Sequence, residues 1–474
     1  MSSTSLVSSS FRIAICGAGV AGLILAVTLG SNIPVDLYET HSAFTAPGVG
    51  INMWRRALEI LEELGLLEEM KDVMTRPPDT RHGPYFRRGD IPEGGYEWFH
   101  QTFEHGPSHM HRQHMIDILQ KHLPASCKVH FSKKLVSYTA PVSGVHTSVP
   151  ITLHFADGST ATTDLFVGAD GIRSAVRRTM FESAADELTA EGRPDGEIAK
   201  MRKHMDAMWT GMLVWRALVP AENLRKLKPD HLSLTEMIIC CGRGKNVVSY
   251  PVSQGTMVNV AAYTADRGSI GRKHETYISS VTKEQLLNAF EGVEPDLRTL
   301  LECCENVSTW ALHIVDELPF CVKDRVVLIG DACHAMTPHF GSGAGQAMES
   351  ETDPYLKDAF ILGRLLADPR VGLAQVPKAL KVYQDIRLPF TSWVARGSFN
   401  MGWMYLLMAP GYYDGTRAIE GEAVDERGVG EHERKGMERV QETILREWEW
   451  LGECGALEVW AKAEAELNKA LAEE

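Results

Sequence analysis

Short apolar runs that end in glycine or an acidic residue recur along the chain. The first, "FRIAIC" at 11–16, leads into Gly17, and the second, "VDLYE" at 35–39, ends in Glu39. Apolar residues recur at helical spacing between them. Short apolar runs bounded by turn residues predict buried strands, and strands that alternate with helices predict a parallel sheet. The chain is therefore expected to begin with a strand–helix–strand unit.

Two later runs end in the same way. Residues 151–163 alternate between apolar and polar on either side of Asp157-Gly158, which predicts a hairpin, and the next run, 164–168, stops at Ala169-Asp170-Gly171. The run that starts at Val326 stops at Gly330-Asp331. Ligands of open parallel sheets bind outside the carboxyl ends of the strands. The strand ends are therefore expected to converge on one ligand.

The middle of the chain has a different pattern, which alternates in the way that strands do. The segments "MLVWRALVP" at 212–220 and "VVSYPVSQGTMVNVAAY" at 247–263 predict strands of a second sheet. Residues 183–206 are charged and alanine-rich, which predicts a helix or a loose insertion. A helix packed on the body of the protein is predicted by the spacing of Met437, Val440, Ile444 and Trp448.

Composition and charge argue against several classes of protein. A chain of 474 residues is too long for one ordinary core, so two or three structural units are expected. Its 48 basic and 62 acidic residues give a net charge of -14, which argues against nucleic acid or an anionic membrane as a partner. No apolar run reaches the roughly 20 residues that a membrane span needs.

The cysteines and the N-terminus indicate a reducing compartment. Nine cysteines are present without CxxC spacing, so neither a metal site nor a disulfide framework is expected. The opening "MSSTSLVSSS" has no basic stretch and is not expected to be a signal peptide. We therefore predict a cytoplasmic protein without a bound metal.

The glycines after the first strand form a candidate nucleotide-binding motif. Gly17, Gly19 and Gly22 make GxGxxG, and Glu39 follows Gly17 by 22 residues (39 − 17). In this arrangement the first glycine makes a tight turn, the second lets backbone approach a pyrophosphate, and the third lets the helix pack on the strand. The helix N-terminus would face the phosphates and Glu39 the ribose hydroxyls of FAD or NAD.

In their order and spacing, GxGxxG, Asp170-Gly171 and Gly330-Asp331 resemble the motifs of the single-component FAD-dependent aromatic hydroxylases, the group A flavoprotein monooxygenases. The most specific segments are "GDACHAMTPHFGSGAGQAMES" from Gly330 and "LFVGADGIRSAVRR" from Leu165. The chain is most similar to fungal salicylate-hydroxylase-type monooxygenases.

The resemblance implies an α/β fold, with a Rossmann-like FAD-binding domain, an inserted mixed β-sheet substrate domain and C-terminal helices. The implied boundaries are 1–78, 108–182 and 306–395 for the FAD-binding domain, 79–107 and 183–305 for the substrate-binding sheet domain, and 396–474 for the C-terminal helical segment.

The resemblance also implies how FAD is held, without a covalent bond. Asp331 would hydrogen-bond a ribityl hydroxyl, Arg112 would reach the FAD, and Asp170 would contact FAD or, in some relatives, reduced nicotinamide. The glycine-rich loop after Phe340 would pass along the isoalloxazine edge, and NAD(P)H would dock transiently as co-substrate. The cofactor-binding residues expected are Gly17, Gly19, Gly22, Glu39, Arg112, Asp170, Asp331, Gly341, Gly343, Ala344 and Gly345.

On the substrate side, Arg216 and Tyr250 match pocket positions of relatives that hydroxylate phenols or phenolic acids, and they are the expected catalytic residues. Arg216 would pair with a phenolate or carboxylate and lower the pKa of the substrate. A solvent-facing Arg216 and a Tyr250 within the sheet core are equally compatible with the sequence. Two positions that hold histidine in relatives are Trp215 and Asn52 here, so no catalytic base is assigned.

The activity implied is hydroxylation of an aromatic acid or phenol with O2 and NAD(P)H. Reduced FAD would react with O2 to a C4a-hydroperoxide whose distal oxygen the substrate ring attacks, and salicylate-type substrates would also lose CO2. Two alternatives stay open: a flavoprotein oxidase or reductase that releases peroxide, and a FAD-binding protein without catalysis. The expected partners are a small aromatic substrate, O2 and NAD(P)H, in a monomer or homodimer that binds neither nucleic acid nor membrane.

One segment departs from the motifs of this group. Ser350 to Lys357 interrupt the helix that usually follows the flavin loop, and Asp353-Pro354 predict the start of a new helix. The segment is either a surface bulge or a gene-model error such as unspliced sequence. His334 and His339 lie nearest to the loop, but a histidine beside a Gly-Asp turn is more often structural, so neither is assigned as base.

Overall fold

The computed structural model describes residues 11–45, 50–76, 81–141, 149–272, 274, 276–340, 352–417, 421–451 and 455–473. Helices and strands are mixed along this part of the chain, and two large sheets organise it. The predicted α/β class, with a Rossmann-like part and an inserted sheet, is confirmed. Within these ranges, every helix is too short or too polar for a membrane span.

The first large sheet contains the predicted strand–helix–strand unit. Its strands are β1 (Ile13–Cys16), β2 (Val35–Tyr38), β7 (Cys127–His130), β11 (Leu165–Gly168), β18 (Val322–Lys323) and β19 (Val326–Leu328). Their order is β18-β19-β11-β1-β2-β7, and neighbours run parallel except for β18 with β19. The runs "IAIC", "LFVG" and "VVL" are buried throughout, as expected for a parallel sheet covered on both faces.

The second large sheet is the inserted one. Its strands are β4 (Tyr85–Arg88), β5 (Tyr96–His100), β12 (Met208–Pro220), β13 (Ile238–Gly242), β14 (Lys245–Val252), β15 (Met257–Ala265), β16 (Ile278–Ser280) and β17 (Ser308–Ile314). Their order is β16-β17-β12-β15-β14-β13-β4-β5. Because side chains alternate along a strand, Met212 and Val214 pack in the main core, whereas Ala217 and Val219 pack in a smaller cluster on the other face.

Two small sheets and the helices complete the described chain. The predicted hairpin at Asp157-Gly158 is present in an antiparallel sheet of β8 (Leu135–Thr139), β9 (Ile151–Phe155) and β10 (Thr160–Thr163). A two-stranded antiparallel ribbon is formed by β3 (Gly50–Met53) and β6 (Ser108–His111). The helices are α1 (Val20–Leu29), α2 (Arg55–Glu63), α3 (Leu67–Lys71), α4 (Arg112–Lys121), α5 (Ala175–Ala190), α6 (Asp195–Lys203), α7 (Ala221–Leu227), α8 (Lys283–Ala289), α9 (Pro295–Glu302), α10 (Asp331–His334), α11 (Thr352–Ala367), α12 (Val376–Tyr405), α13 (Glu431–Trp448) and α14 (Ala456–Ala472).

Two elements lie across the predicted domain boundaries, which stay predictions. Strand β17 lies in the range 306–395 that was assigned to the FAD-binding domain, yet it pairs with β12 of the inserted sheet. Helix α12 crosses the boundary predicted between 395 and 396 without a break. Of the two alternatives for 183–206, the structure has the helical one, in α5 and α6. The membership of β17 depends on pairing between distant segments, which local pattern does not specify.

A buried ion pair joins the C-terminal part of the chain to the edge of the inserted sheet. Arg88 on β4 donates to Glu433 on α13 at 2.6 Å and to the hydroxyl of Tyr413 at 3.0 Å. Tyr96 on β5 also donates to Glu433, at 2.7 Å. Both charged side chains are almost fully buried, at 1% exposure for Arg88 and 0% for Glu433. The predicted packing face of α13 is buried as well, at Met437, Val440, Ile444 and Trp448.

Candidate active site

The glycines after β1 have the geometry of a nucleotide-binding turn. Gly17 has φ +106°, and a Cβ there would lie 2.2 Å from the carbonyl oxygen of Ala169. A Cβ at Gly22 would lie 2.0 Å from the carbonyl oxygen of Gly17. At Gly19, by contrast, no described atom lies within 4 Å of the position a Cβ would take. Gly17 and Gly22 are thus required for packing, and Gly19 leaves room beside the backbone for a ligand.

Helix α1 begins at this turn and is open to an anion. Gly19 is its N-cap, no described side chain caps it, and its first turn contains no acidic residue. Backbone N–H groups at such a helix start bind phosphate well. Glu39 accepts hydrogen bonds from the N–H of Ala18 at 2.9 Å and of His41 at 2.8 Å, so β2 is tied to the glycine turn. These residues fit the adenosine diphosphate part of FAD.

Asp170 lies next to the same turn but acts as a helix cap. One carboxylate oxygen accepts from the hydroxyl of Ser174 at 2.5 Å, and the other accepts from the N–H of Ala175 at 2.7 Å and of Val176 at 3.2 Å. Burial raises the pKa of Asp170, and these hydrogen bonds act in the opposite direction. Its immediate role is to hold the start of α5, while the backbone of Ala169 and Asp170 lies beside Gly17.

Asp331 starts α10 directly after β19, at a turn that a buried charge cluster fixes. Asp358 on α11 accepts from the N–H of Gly330 at 3.1 Å, from Nε of Arg387 at 2.9 Å and from Nε2 of His334 at 2.5 Å. Burial opposes ionisation of Asp358, but the charges of His334 and Arg387 outweigh it and lower its pKa to about 2. The partly buried Asp331 is therefore presented from a rigid turn at the carboxyl edge of the parallel sheet.

The β3–β6 ribbon places a histidine, His109, beside Asn52, the position on β3 where some relatives have histidine. His109 lies opposite Asn52 in the register, and its Nδ1 is 2.7 Å from Oδ1 of Asn52. The ring of His109 also lies 4.7 Å from the ring of Tyr250. Burial and the nearby His82 and Arg76 lower the pKa of His109 to about 3, so its imidazole is neutral at ordinary pH. Arg112 comes directly after β6. It is the first residue of α4 and is partly buried.

The inserted sheet presents a set of polar side chains around a small residue. Ala261 on β15 lies opposite Arg216 on β12, and Asn259 lies opposite Tyr250 on β14. Arg216 is two residues from Val214 and therefore shares the face that packs on the main core. We call this surface the Ala261 floor: Ala261 with the surrounding Arg216, Tyr250, Asn259 and Tyr263, all no more than 5% exposed.

His339 contacts the Ala261 floor at Tyr263. Its ring lies 4.8 Å from the ring of Tyr263, and a Cβ at Gly402 would lie 2.6 Å from its Nδ1. Burial lowers the pKa of His339 to about 3. Neither ring nitrogen has a hydrogen-bond partner in the described part of the chain. The backbone N–H of His339 donates to the hydroxyl of Ser398 on α12 at 3.1 Å, and this bond fixes the position of His339.

Several predicted positions lie outside the described residues: Gly341, Gly343, Ala344 and Gly345 of the glycine-rich loop, and residues 350 and 351 of the interrupting segment. Where the description resumes, α11 begins at Thr352, one residue before the predicted cap at Asp353. Lys357, the last residue of the segment, is 1% exposed, and its Nζ lies 5.3 Å from the ring centre of Phe390. The C-terminal end of the segment is thus packed in the protein. A surface bulge, one of the two predicted alternatives, does not describe this end.

Three residues that matter to this site were given no role by the sequence. Asn259 stands in the middle of "VNVAAY", and asparagine is depleted in strands, so the signal was present. Asp358 opens the apolar helix run "DAFILGRLLA", where an acid needs a partner. His109 had no comparable signal, because its importance depends on pairing with Asn52 across the ribbon.

Comparison with known proteins adds the following similarities. The family model described as FAD binding domain matches residues 10–398. The chain is 32% identical over 467 residues to the FAD-dependent monooxygenase str9 of Strobilurus tenacellus, covering 94% of this chain and 96% of that protein. It is 32% identical over 415 residues to a salicylate hydroxylase of Pseudomonas putida, covering 85% and 87%. The solved structure of a salicylate hydroxylase substrate complex superimposes with a TM-score of 0.70 at 27% identity, covering 98% of each chain.

Proposed function

The chain belongs to the FAD binding domain family and is a flavoprotein monooxygenase, and from this premise we propose that it hydroxylates a small aromatic acid or phenol with O2 and NAD(P)H. The observation that carries the proposal is the Ala261 floor. We propose that the flat ring of the substrate lies over Ala261, the smallest side chain of this surface, and that the polar side chains around it supply hydrogen bonds to ring substituents.

The chemistry that FAD supplies when bound is electron transfer from NAD(P)H and reaction with O2. The turn at Gly19 and the open start of α1 would hold its pyrophosphate, Glu39 its ribose and Asp331 its ribityl chain. Arg112 and Asp170 are proposed to border the same cofactor, Asp170 by holding the start of α5 beside Gly17. The glycine-rich loop that begins at Gly341 is proposed to run along the flavin ring.

Arg216 is proposed to bind the anionic group of the substrate. Its side chain is 5% exposed, and its guanidinium carbon lies 5.6 Å from the ring centre of Trp310. A buried guanidinium can grip a carboxylate or phenolate through two parallel hydrogen bonds. The positive charge would lower the pKa of a phenolic substrate and so make its ring more electron-rich.

Tyr250 and His339 are proposed to orient neutral groups of the substrate. A neutral imidazole offers one donor and one acceptor, and burial keeps His339 neutral at physiological pH. The residues of the Ala261 floor are nearly inaccessible to solvent, so water would be kept from the reacting oxygen. Exclusion of water favours transfer of oxygen to the ring over release of peroxide.

Salicylate is the first substrate to test, because a salicylate hydroxylase is among the similar proteins. Hydroxylation at the carbon that carries the carboxyl group would release CO2, whereas hydroxylation elsewhere on the ring would retain it. Measuring CO2 and the phenolic product therefore distinguishes the two outcomes for each acid.

The test is turnover by the purified, FAD-loaded chain. Hydroxybenzoates and simple phenols should stimulate oxidation of NADH or NADPH, and hydroxylated product should account for most of the reductant used. Arg216→Ala should raise KM for anionic substrates, whereas Arg225→Ala on the exposed end of α7 should not. Peroxide equal to the NAD(P)H consumed would identify an oxidase instead, and no response to any compound would leave a binding protein.

A further inference from the structure

Two side chains in the described chain have both of their buried polar atoms without a hydrogen-bond partner, and both adjoin the Ala261 floor. They are Asn259, through Oδ1 and Nδ2, and His339, through both ring nitrogens. Asn259 is 0% exposed. The coincidence of both residues at one surface indicates that the surface is built for a ligand.

A buried amide without partners is unfavourable in a folded protein. Transfer of an amide from water into an apolar environment costs free energy that only hydrogen bonds recover, and native structures rarely leave both amide atoms unsatisfied. Leucine has nearly the same shape and carries no such cost. The presence of asparagine at 259 is therefore explained by a partner that the polypeptide itself does not supply.

The register shows where that partner would lie. Asn259 is opposite Tyr250 on one side and Leu218 on the other, and it is two residues from Ala261 on the same face. Arg216 lies opposite Ala261, so Arg216 and Asn259 are diagonal neighbours across β12 and β15. Diagonal neighbours on one face of a sheet lie close enough for long side chains to contact the same small molecule.

We propose that Asn259 is a specificity-determining residue that binds a neutral hydroxyl substituent of the substrate ring, while Arg216 binds the anionic group. This inference rests on the proposed function. An amide presents one donor and one acceptor, which a hydroxyl can satisfy together. A carboxylate only accepts hydrogen bonds, so it could bond the amide NH2 but would leave the amide oxygen without a donor, and the anion therefore belongs at Arg216. The substrate class is thus an aromatic acid that carries a ring hydroxyl.

The test compares the intact FAD-loaded protein with Asn259→Leu. Dissociation constants of benzoate and of the three monohydroxybenzoates are measured from the change in flavin absorbance on titration. The native protein should bind at least one hydroxybenzoate more tightly than benzoate. In Asn259→Leu that preference should fall by about tenfold, with benzoate affinity unchanged. FAD content should also be unchanged.

Stability provides a second readout that a structural role would move the other way. Because the amide has no partner in the fold, Asn259→Leu should be at least as heat-stable as the native protein without substrate. Ser249→Ala is the matched control, since Ser249 lies on the opposite face of β14 and bonds Ser233 at 2.7 Å. It should lower stability and leave the preference intact. If the leucine variant does not fold, Asn259→Ala serves for the same comparison.

The outcomes separate this inference from the proposed function. Loss of FAD, equal weakening of benzoate and hydroxybenzoates, or an unchanged preference in Asn259→Leu would each overturn the role of Asn259. An unchanged preference together with substrate-dependent hydroxylation leaves the function standing and removes the inference. A preference that depends on Asn259 without any hydroxylated product supports the inference and removes the function.

Discussion

Replacing Asp358 by asparagine should destabilise the protein and loosen its hold on FAD. Asp358 is 0% exposed and accepts from Gly330, His334 and Arg387, whose side chain is itself 2% exposed. Asp358→Asn keeps the shape of the side chain but removes its charge. The guanidinium of Arg387 then loses the negative charge of Asp358, and the turn before Asp331 loses its fixed acceptor.

The magnitude follows from the burial and from the pKa of Asp358. Removing one partner of a buried ion pair costs roughly 3–5 kcal/mol. Independently, a pKa lowered from 3.8 to about 2 corresponds to roughly 2 kcal/mol of stability from ionisation. We therefore expect a loss of about 3 kcal/mol at neutral pH. Because the pKa is lowered in the folded state, this stability is present above the unfolded pKa and disappears as pH falls towards 2, so native and variant proteins should converge in acid.

Urea unfolding followed by fluorescence measures the loss, and release of FAD is recorded in the same titration. Asp368→Asn is the matched control, because Asp368 follows the same helix but pairs with Arg370, which is 53% exposed. It should cost less than about 1 kcal/mol. The double variant Asp358→Asn/Arg387→Met also removes the positive charge of Arg387 and should recover part of the lost free energy of unfolding. Equal stability of Asp358→Asn and Asp368→Asn would refute the reasoning.

Further substitutions test the two halves of the site. Asp331→Ala should weaken FAD binding by a charge-assisted bond of about 1.5–3 kcal/mol, measured as FAD retained on gel filtration; full occupancy would count against its contact with FAD. Glu39→Ala should weaken FAD binding and leave the flavin spectrum unchanged, whereas unchanged affinity with poorer coupling of NAD(P)H use to product would contradict a ribose contact. Arg216→Ala should keep FAD and lose transition-state stabilisation of roughly 2–5 kcal/mol, measured from kcat/KM. The kcat/KM of Arg216→Lys should lie between those of Arg216→Ala and the native enzyme, and both variants should form more peroxide. Unchanged KM and coupling would remove Arg216 from the substrate site.

The parts of the fold that the sequence predicted are those that local physics decides. Short apolar runs bounded by turn residues, as at 11–16 and 35–39, favour buried strands, and the spacing of Gly17, Gly19 and Gly22 favours a tight strand–helix turn. The family was predicted for the same reason, since its motifs are short and continuous in sequence.

The parts that the sequence did not predict depend on contacts between distant residues. Asp170 was expected to contact a cofactor, and nothing in "ADGIRSAV" states that both of its oxygens cap α5. The pairing of β17 with β12 places β17 in the inserted sheet, and no local pattern specifies that pairing. The Ala261 floor exists only through the registers of β12, β14 and β15, so Asn259 could be noticed as unusual but not placed.

The ion pair between Arg88 and Glu433 has a consequence for how the chain is synthesised. The two residues are 345 positions apart and both are buried, and Arg88 pairs with the nearby Asp90 as well. At roughly 5–20 residues per second, Glu433 leaves the ribosome tens of seconds after Arg88. During that interval the edge of the inserted sheet holds a guanidinium that is not yet paired with Glu433. Completion of that edge therefore comes late in synthesis, and in a nascent chain interrupted before Glu433 the strands β4 and β5 would lack this partner.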